Sequence, residues 1–209
     1  NGLKNLRINK KKFIYLISPN KIYPEFYHDL NQILRTGKVA LFQLRLKKYS
    51  LKQKIVIGKK IQRICKKNNI KFIVNDDPIL SKTLNADGCH LGQKDMDIKN
   101  ARKIIGKKII GVTCHNSIKL AKAAIKENAD YIAFGAFFST KTKKVIFKAD
   151  IKILNKIKKL TKTPIVAIGG INFDNYKKLL LNNANLLAIS SYVWNNKKYK
   201  PLKTIEKLK

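Results

Sequence analysis

The chain has 209 residues, with 46 Lys and Arg against 12 Asp and Glu, a formal net charge of +34, and 44% hydrophobic residues. This length and apolar content suit one core-bearing domain over residues 1–209 and exclude a disordered chain. No apolar run approaches the ~18 residues of a membrane span, and the basic N-terminal stretch lacks the apolar core of a secretory signal.

Short apolar runs alternate with helical patterns along the chain. A strand at 13–18 leads to a helix at 25–36. The second strand, 39–45, runs into Gln43-Leu44-Arg45-Leu46-Lys47, where alternation puts Gln43, Arg45 and Lys47 on one side. The next helix, 51–68, carries Ile57, Ile61 and Ile64 at helical spacing. A third strand at 70–75 ends in Asn75-Asp76-Asp77 before a helix at 78–85. A fourth at 87–91 runs out through His90-Leu91-Gly92-Gln93-Lys94-Asp95 to a helix at 97–105. The fifth, 109–113, ends in Thr113-Cys114-His115, ahead of a helix at 116–128. The sixth, 131–135, passes Gly135 into Ser139-Thr140-Lys141-Thr142-Lys143-Lys144, then a helix at 148–160. The seventh, 164–168, begins at Pro164, where a missing N–H costs least, and ends in Gly169-Gly170 before a helix at 172–183. The eighth, 186–190, ends in Ser190-Ser191, and a last helical piece covers 201–208.

Strict strand–helix alternation implies parallel strands with crossover helices, and eight units in this length make a compact (β/α)8 barrel. An open doubly wound sheet is the alternative, but no Gly-rich fingerprint follows the first strand. A barrel keeps its chemistry at the C-terminal ends of its strands, where the polar residues above collect.

The acids are the most informative group. Five of the 12 lie between residues 76 and 97: Asp76, Asp77, Asp87, Asp95 and Asp97. Asp77, before Pro78, and Asp97 read as helix caps. Asp76 and Asp95 leave neighbouring strands, and two carboxylates in a basic chain suit Mg2+, which takes one or two carboxylates plus phosphate oxygens and water. Two segments suit phosphate. Thr140 to Lys143 offers hydroxyls and ammonium groups. Gly169-Gly170 lets backbone approach an anion with a helix N-terminus behind it, and Ser190-Ser191 adds donors. Three cysteines at no metal spacing exclude a disulfide framework and point to a reducing cytoplasm. Cys65 and Cys89 read as core, His90 as a packed strand residue, His28 as surface, and Tyr192 and Trp194 as packing for the last helix. Cys114-His115 is a poor nucleophile–base pair, because adjacent strand residues point apart. The lysines are scattered, so the charge suits anionic small substrates rather than a dedicated nucleic-acid role.

Over nearly its whole length, Phe13 to about Trp194, the chain resembles the thiamine phosphate synthase (thiamine phosphate pyrophosphorylase) family. The blocks that carry the resemblance are Phe42 to Lys47, Phe72 to Asp77, Ala86 to Met96, Gly111-Val112-Thr113, Ala129-Asp130-Tyr131, Thr140 to Lys143, and Val166 to Ile171. The resemblance implies a (β/α)8 transferase that couples hydroxymethylpyrimidine diphosphate to a thiazole phosphate, releasing pyrophosphate. By motif, Gln43, Arg45, Lys47, Asn75, Thr113 and Lys143 would hold the pyrimidine diphosphate, with Arg45, Lys47 and Lys143 acting in catalysis. Asp76 and Asp95 would ligate Mg2+. Thr140, Thr142, Gly170, Ser190 and Ser191 would hold the thiazole phosphate. Thr113 stands where the family often has Ser, which keeps the hydroxyl. A same-fold thiazole tautomerase, with a His near the position of His115, is the close alternative; a basic nucleic-acid-binding barrel is the distant one. Partners are therefore phosphorylated small molecules, without membrane or dedicated nucleic acid, and a homodimer is compatible with the sequence.

Overall fold

The computed structural model describes residues 11–139 and 147–209. The eight apolar runs form β1 (Ile14–Ile17), β2 (Val39–Leu44), β3 (Lys71–Asn75), β4 (Gly88–Leu91), β5 (Ile109–Thr113), β6 (Tyr131–Phe134), β7 (Ile165–Ala167) and β8 (Leu186–Ile189). All neighbours pair parallel, and β1 pairs with both β2 and β8, so the sheet is a closed barrel rather than an open one. The connecting helices are α1 (Phe26–Arg35), α2 (Leu51–Lys67), α3 (Pro78–Thr83), α4 (Ile98–Ile105), α5 (Ile118–Lys126), α6 (Lys152–Lys158) and α7 (Tyr176–Leu181), followed by α8 (Ser191–Trp194) and α9 (Pro201–Glu206).

Two apolar cores follow from the period-2 alternation of the strands. Tyr15, Leu41, Ile73, Ile109, Tyr131, Val166 and Leu186 point inward and fill the barrel. Their neighbours in sequence point outward, where Leu16, Phe42, Val74, Ile110 and Ile132 pack against the helices. Local chemistry sets the helix starts. Ser50 and Gln53 form a capping box, and Asp77, Asp97 and Ser117 each accept from an N–H three residues on.

Two expectations need correction. The helix expected at 172–183 begins at Tyr176, because Asn172 accepts from Asp174 N–H and Asn175 from Asn172 N–H, holding the chain in a turn. The helix expected at 148–160 spans only Lys152–Lys158, since the Asp150 side chain takes the Lys152 N–H and sets a later start. Trp194 packs against Tyr23 and Phe26 beside α1, and its indole donates to the Ile17 carbonyl. Tyr192 does reach α9, donating to Thr204 O at 3.0 Å.

Candidate active site

Parallel closure brings the C-terminal ends of all eight strands to one rim, so Arg45, Asn75, Asp95, Thr113, Gly170 and Ser190 share it. Thr140, Thr142 and Lys143 lie outside the described residues.

The two candidate metal ligands come together. Asp76 follows β3 with a left-handed backbone, φ 66°, a conformation disfavoured for a residue with a Cβ. Its N–H donates to His90 O at 2.7 Å, which ties the exit of β3 to β4. Lys47 Nζ lies 2.6 Å from Asp76 Oδ2. The Asp95 carboxyl hydrogen-bonds that of Asp76 and also accepts from Gly92 N–H at 2.8 Å. Burial pushes Asp76 up, but Lys47 and the hydrogen bond from Asp95 outweigh it and hold the carboxyl below the usual range. Partial burial and the Asp76 carboxylate raise Asp95. Two carboxylates this close repel when both are charged, and a cation between them relieves that repulsion. Among the described residues no cluster of three or more His, Cys, Asp or Glu forms a metal cage. The donor set therefore suits a hard cation that fills its shell with water and phosphate oxygens. A cleft of about 350 Å3, lined by Lys47, Lys54, Asn75, Asp76 and Met96, opens beside it.

The other acids of the cluster have structural partners. Asp77 and Asp97 cap α3 and α4, and Asp87 accepts from Phe72 N–H at 2.8 Å.

Gln43 is buried in the barrel, 4% exposed, while Arg45 is half-buried and Lys47 exposed. Ser18, which the sequence reading did not single out, fixes this strand end: its Oγ accepts from Arg45 N–H and donates to Arg45 O. Tyr15, Tyr131 and His90 were also missed as site residues. His90 is packed, as expected, yet both its ring nitrogens are engaged: Nδ1 lies 2.7 Å from Tyr131 Oη, and Nε2 lies 2.7 Å from Thr113 Oγ1. Burial is the main force pushing His90 down to about 4; Asp76 opposes this and Arg45 adds to it. Only the blocks Ala129-Asp130-Tyr131 and Gly88-Cys89-His90 hinted at these residues.

On the opposite side of the rim, Gly169 and Gly170 have φ 99° and 65°. A Cβ at Gly170 would lie 2.5 Å from Ser139 O, so the glycine serves close packing of the loops after β6 and β7. The helix behind it starts only at Tyr176. On the β8 side the rim carries α8, a short helix that the sequence did not reveal; Val193 and Trp194 N–H donate to Ser190 O, which leaves Ser191 and Tyr192 N–H without a partner within the helix. Ser190 Oγ donates to Ser18 O at 3.2 Å, so its hydroxyl proton is taken within the protein.

Cys114 is buried with its Sγ 3.6 Å from Val112 O, and burial pushes its thiol up to about 12. His115, at φ 51°, stacks on Phe147 with ring centroids 3.8 Å apart. The pair diverges, as expected. His28 is exposed, and Cys65 and Cys89 are buried.

A family model described as thiamine monophosphate synthase matches residues 14–193. A thiamine-phosphate synthase of Pelagibacter ubique is 64% identical over 209 residues, covering 99% of this chain and 100% of that protein. One from Erythrobacter litoralis is 40% identical over 87% of each chain. The solved thiamine phosphate pyrophosphorylase of Pyrococcus furiosus superposes with a TM-score of 0.82 at 30% identity, covering 95% of this chain and 94% of that one.

Proposed function

The chain belongs to the thiamine monophosphate synthase family, and from that premise we propose how its rim couples hydroxymethylpyrimidine diphosphate to a thiazole phosphate, giving thiamine phosphate and pyrophosphate. It is a transferase acting on phosphorylated small molecules. The observation that carries the site assignment is the Asp76–Asp95 carboxyl pair set against Lys47. Asp76 and Asp95 would hold Mg2+, which when bound supplies charge neutralisation to the diphosphate.

The chain's own residues do the rest. Arg45, Lys47 and Lys143 gather the charge that builds on pyrophosphate as the C–O bond to the pyrimidine methylene breaks and the electron pair leaves with oxygen. Gln43, Asn75 and Thr113 orient the pyrimidine diphosphate. Gly170, Ser190, Ser191, Thr140 and Thr142 hold the thiazole phosphate, Ser190 through its backbone because its hydroxyl donates to Ser18 O, with Ser191 and Tyr192 N–H as donors at the start of α8. The thiazole nitrogen attacks with its own lone pair, so no protein base is required, and catalysis is positioning plus electrostatics. Among the described residues, no helix is long and apolar enough to cross a membrane, and three buried free thiols support a reducing cytoplasm as the compartment. Sedimentation would show whether a homodimer forms.

The test is a coupling assay with both substrates, following thiamine phosphate by chromatography with and without Mg2+. Product that appears only with the metal is expected. Undiminished turnover in excess chelator would overturn the metal assignment, and no product with any divalent ion would overturn the coupling.

A further inference from the structure

Five side chains from five strands join in one hydrogen-bonded line through the barrel. Gln43 Nε2 donates to Tyr15 Oη at 3.0 Å, and Tyr15 Oη lies 2.7 Å from Tyr131 Oη. Tyr131 Oη lies 2.7 Å from His90 Nδ1, and His90 Nε2 lies 2.7 Å from Thr113 Oγ1. Tyr15 and Tyr131 are 1% and 0% exposed, so bulk solvent does not compete for these bonds. Gly111 makes the crossing possible. It pairs in register with His90 on one side and Tyr131 on the other, and a Cβ there would run into the Tyr131 ring. With no side chain between them, the His90 and Tyr131 rings stack at 5.6 Å.

Counting protons gives this line a direction. Tyr15 Oη already accepts from the Gln43 amide, so its own proton must go to Tyr131 Oη, its only other partner among the described residues. The Tyr131 proton must then go to His90 Nδ1. His90 is nine-tenths buried, and no carboxylate contacts either ring nitrogen, which suits a neutral imidazole. A neutral ring accepting at Nδ1 carries its proton on Nε2 and gives it to Thr113 Oγ1. The Thr113 proton is then left for the half-buried, rim-facing side.

We propose that Gln43, Tyr15, Tyr131 and His90 form a directional hydrogen-bond relay that fixes His90 as the Nε2–H tautomer and presents the Thr113 hydroxyl to the active site as a donor. Its partner is an acceptor atom of the bound diphosphate substrate, a point that rests on the coupling reaction above. Tyr15, Tyr131 and His90 are thus positioning residues. Reversing the line would turn Thr113 toward His90 and leave the substrate facing lone pairs.

The chain has three histidines, so long-range 1H–15N spectra of the substrate-free protein can read each tautomer. His90 should show a protonated Nε2 and an unprotonated Nδ1. Tyr131→Phe removes the donor to Nδ1 and should shift His90 toward the Nδ1–H form, and Tyr15→Phe, which removes the input that orients the Tyr131 hydroxyl, should shift it the same way to a smaller extent. Tyr131→Phe should lower kcat on the order of 10- to 100-fold. In a Thr113→Val background the same change should cost almost nothing further, because both act through one hydroxyl. A wild-type His90 protonated on Nδ1, or a Tyr131→Phe protein with tautomer and kcat unchanged, would overturn the relay. The tautomer is read without substrate. An expected NMR pattern in a protein that makes no thiamine phosphate would therefore count against the coupling reaction and not against the relay's direction.

Discussion

The carboxylates of Asp76 and Asp95 differ from the other three acids of their stretch in what their oxygens touch. Asp77, Asp87 and Asp97 meet only backbone N–H groups, whereas Asp76 and Asp95 face each other and Lys47, although Asp95 also accepts from Gly92 N–H. Asp76→Ala and Asp95→Ala should therefore abolish most turnover while leaving the thermal midpoint near that of the wild type. Asp97→Ala should do the reverse, costing about 0.5–2 kcal/mol of stability in urea titration with kcat intact. The caps could be read from sequence because their partners lie three residues away. The relay could not, because Tyr15 and Tyr131 meet only when the barrel closes. The same burial argument covers the thiols. Burial raises all three, Cys114 to about 12, and no proposed step needs a thiolate. Cys114→Ser should keep full activity, and the native protein should resist a thiol reagent that labels it fully in denaturant. Loss of turnover in a folded Cys114→Ser protein would count against the mechanism.

At the scale of elements, strand positions were legible because runs such as Val39 to Leu44 are buried on both faces and leave little alternative. Helix starts after β6 and β7 were not, because side-chain turns at Asp150, Asn172 and Asn175 compete locally with helix. At four residues, α8 is too short to show a helical period. Between elements, the decisive fit is at β5. Gly111 looks like a weak point in a strand, yet its missing side chain admits the Tyr131 ring. Gly111→Ala should overpack the barrel and destabilise it by about 1–3 kcal/mol, as measured by denaturant midpoint. It should also lower kcat by parting Tyr131 from His90. An alanine variant as stable and active as the wild type would show that the rings have room to spare.

Across the whole molecule the question is whether +34 acts as a field or through sites. Among the described residues only two ion pairs form, Lys47–Asp76 and Arg102–Asp130, so most of the 46 cations face solvent rather than acids. Such a surface draws in phosphorylated substrates and is screened by salt. It cannot distinguish two adjacent lysines, and that separates the two explanations. Lys143 falls in the Thr-x-Thr-Lys pattern and Lys144 falls just outside it. Removing a donor used mainly in the transition state costs about 2–4 kcal/mol, or roughly 30- to 1000-fold in rate. Removing an exposed charge costs under ~1 kcal/mol. Lys143→Ala should therefore lose far more turnover than Lys144→Ala, with the gap persisting at high ionic strength. Steady-state kinetics on both variants at two salt concentrations measures this. Equal losses that fade with salt would make Lys143 one more contributor to the field and remove it from the reaction.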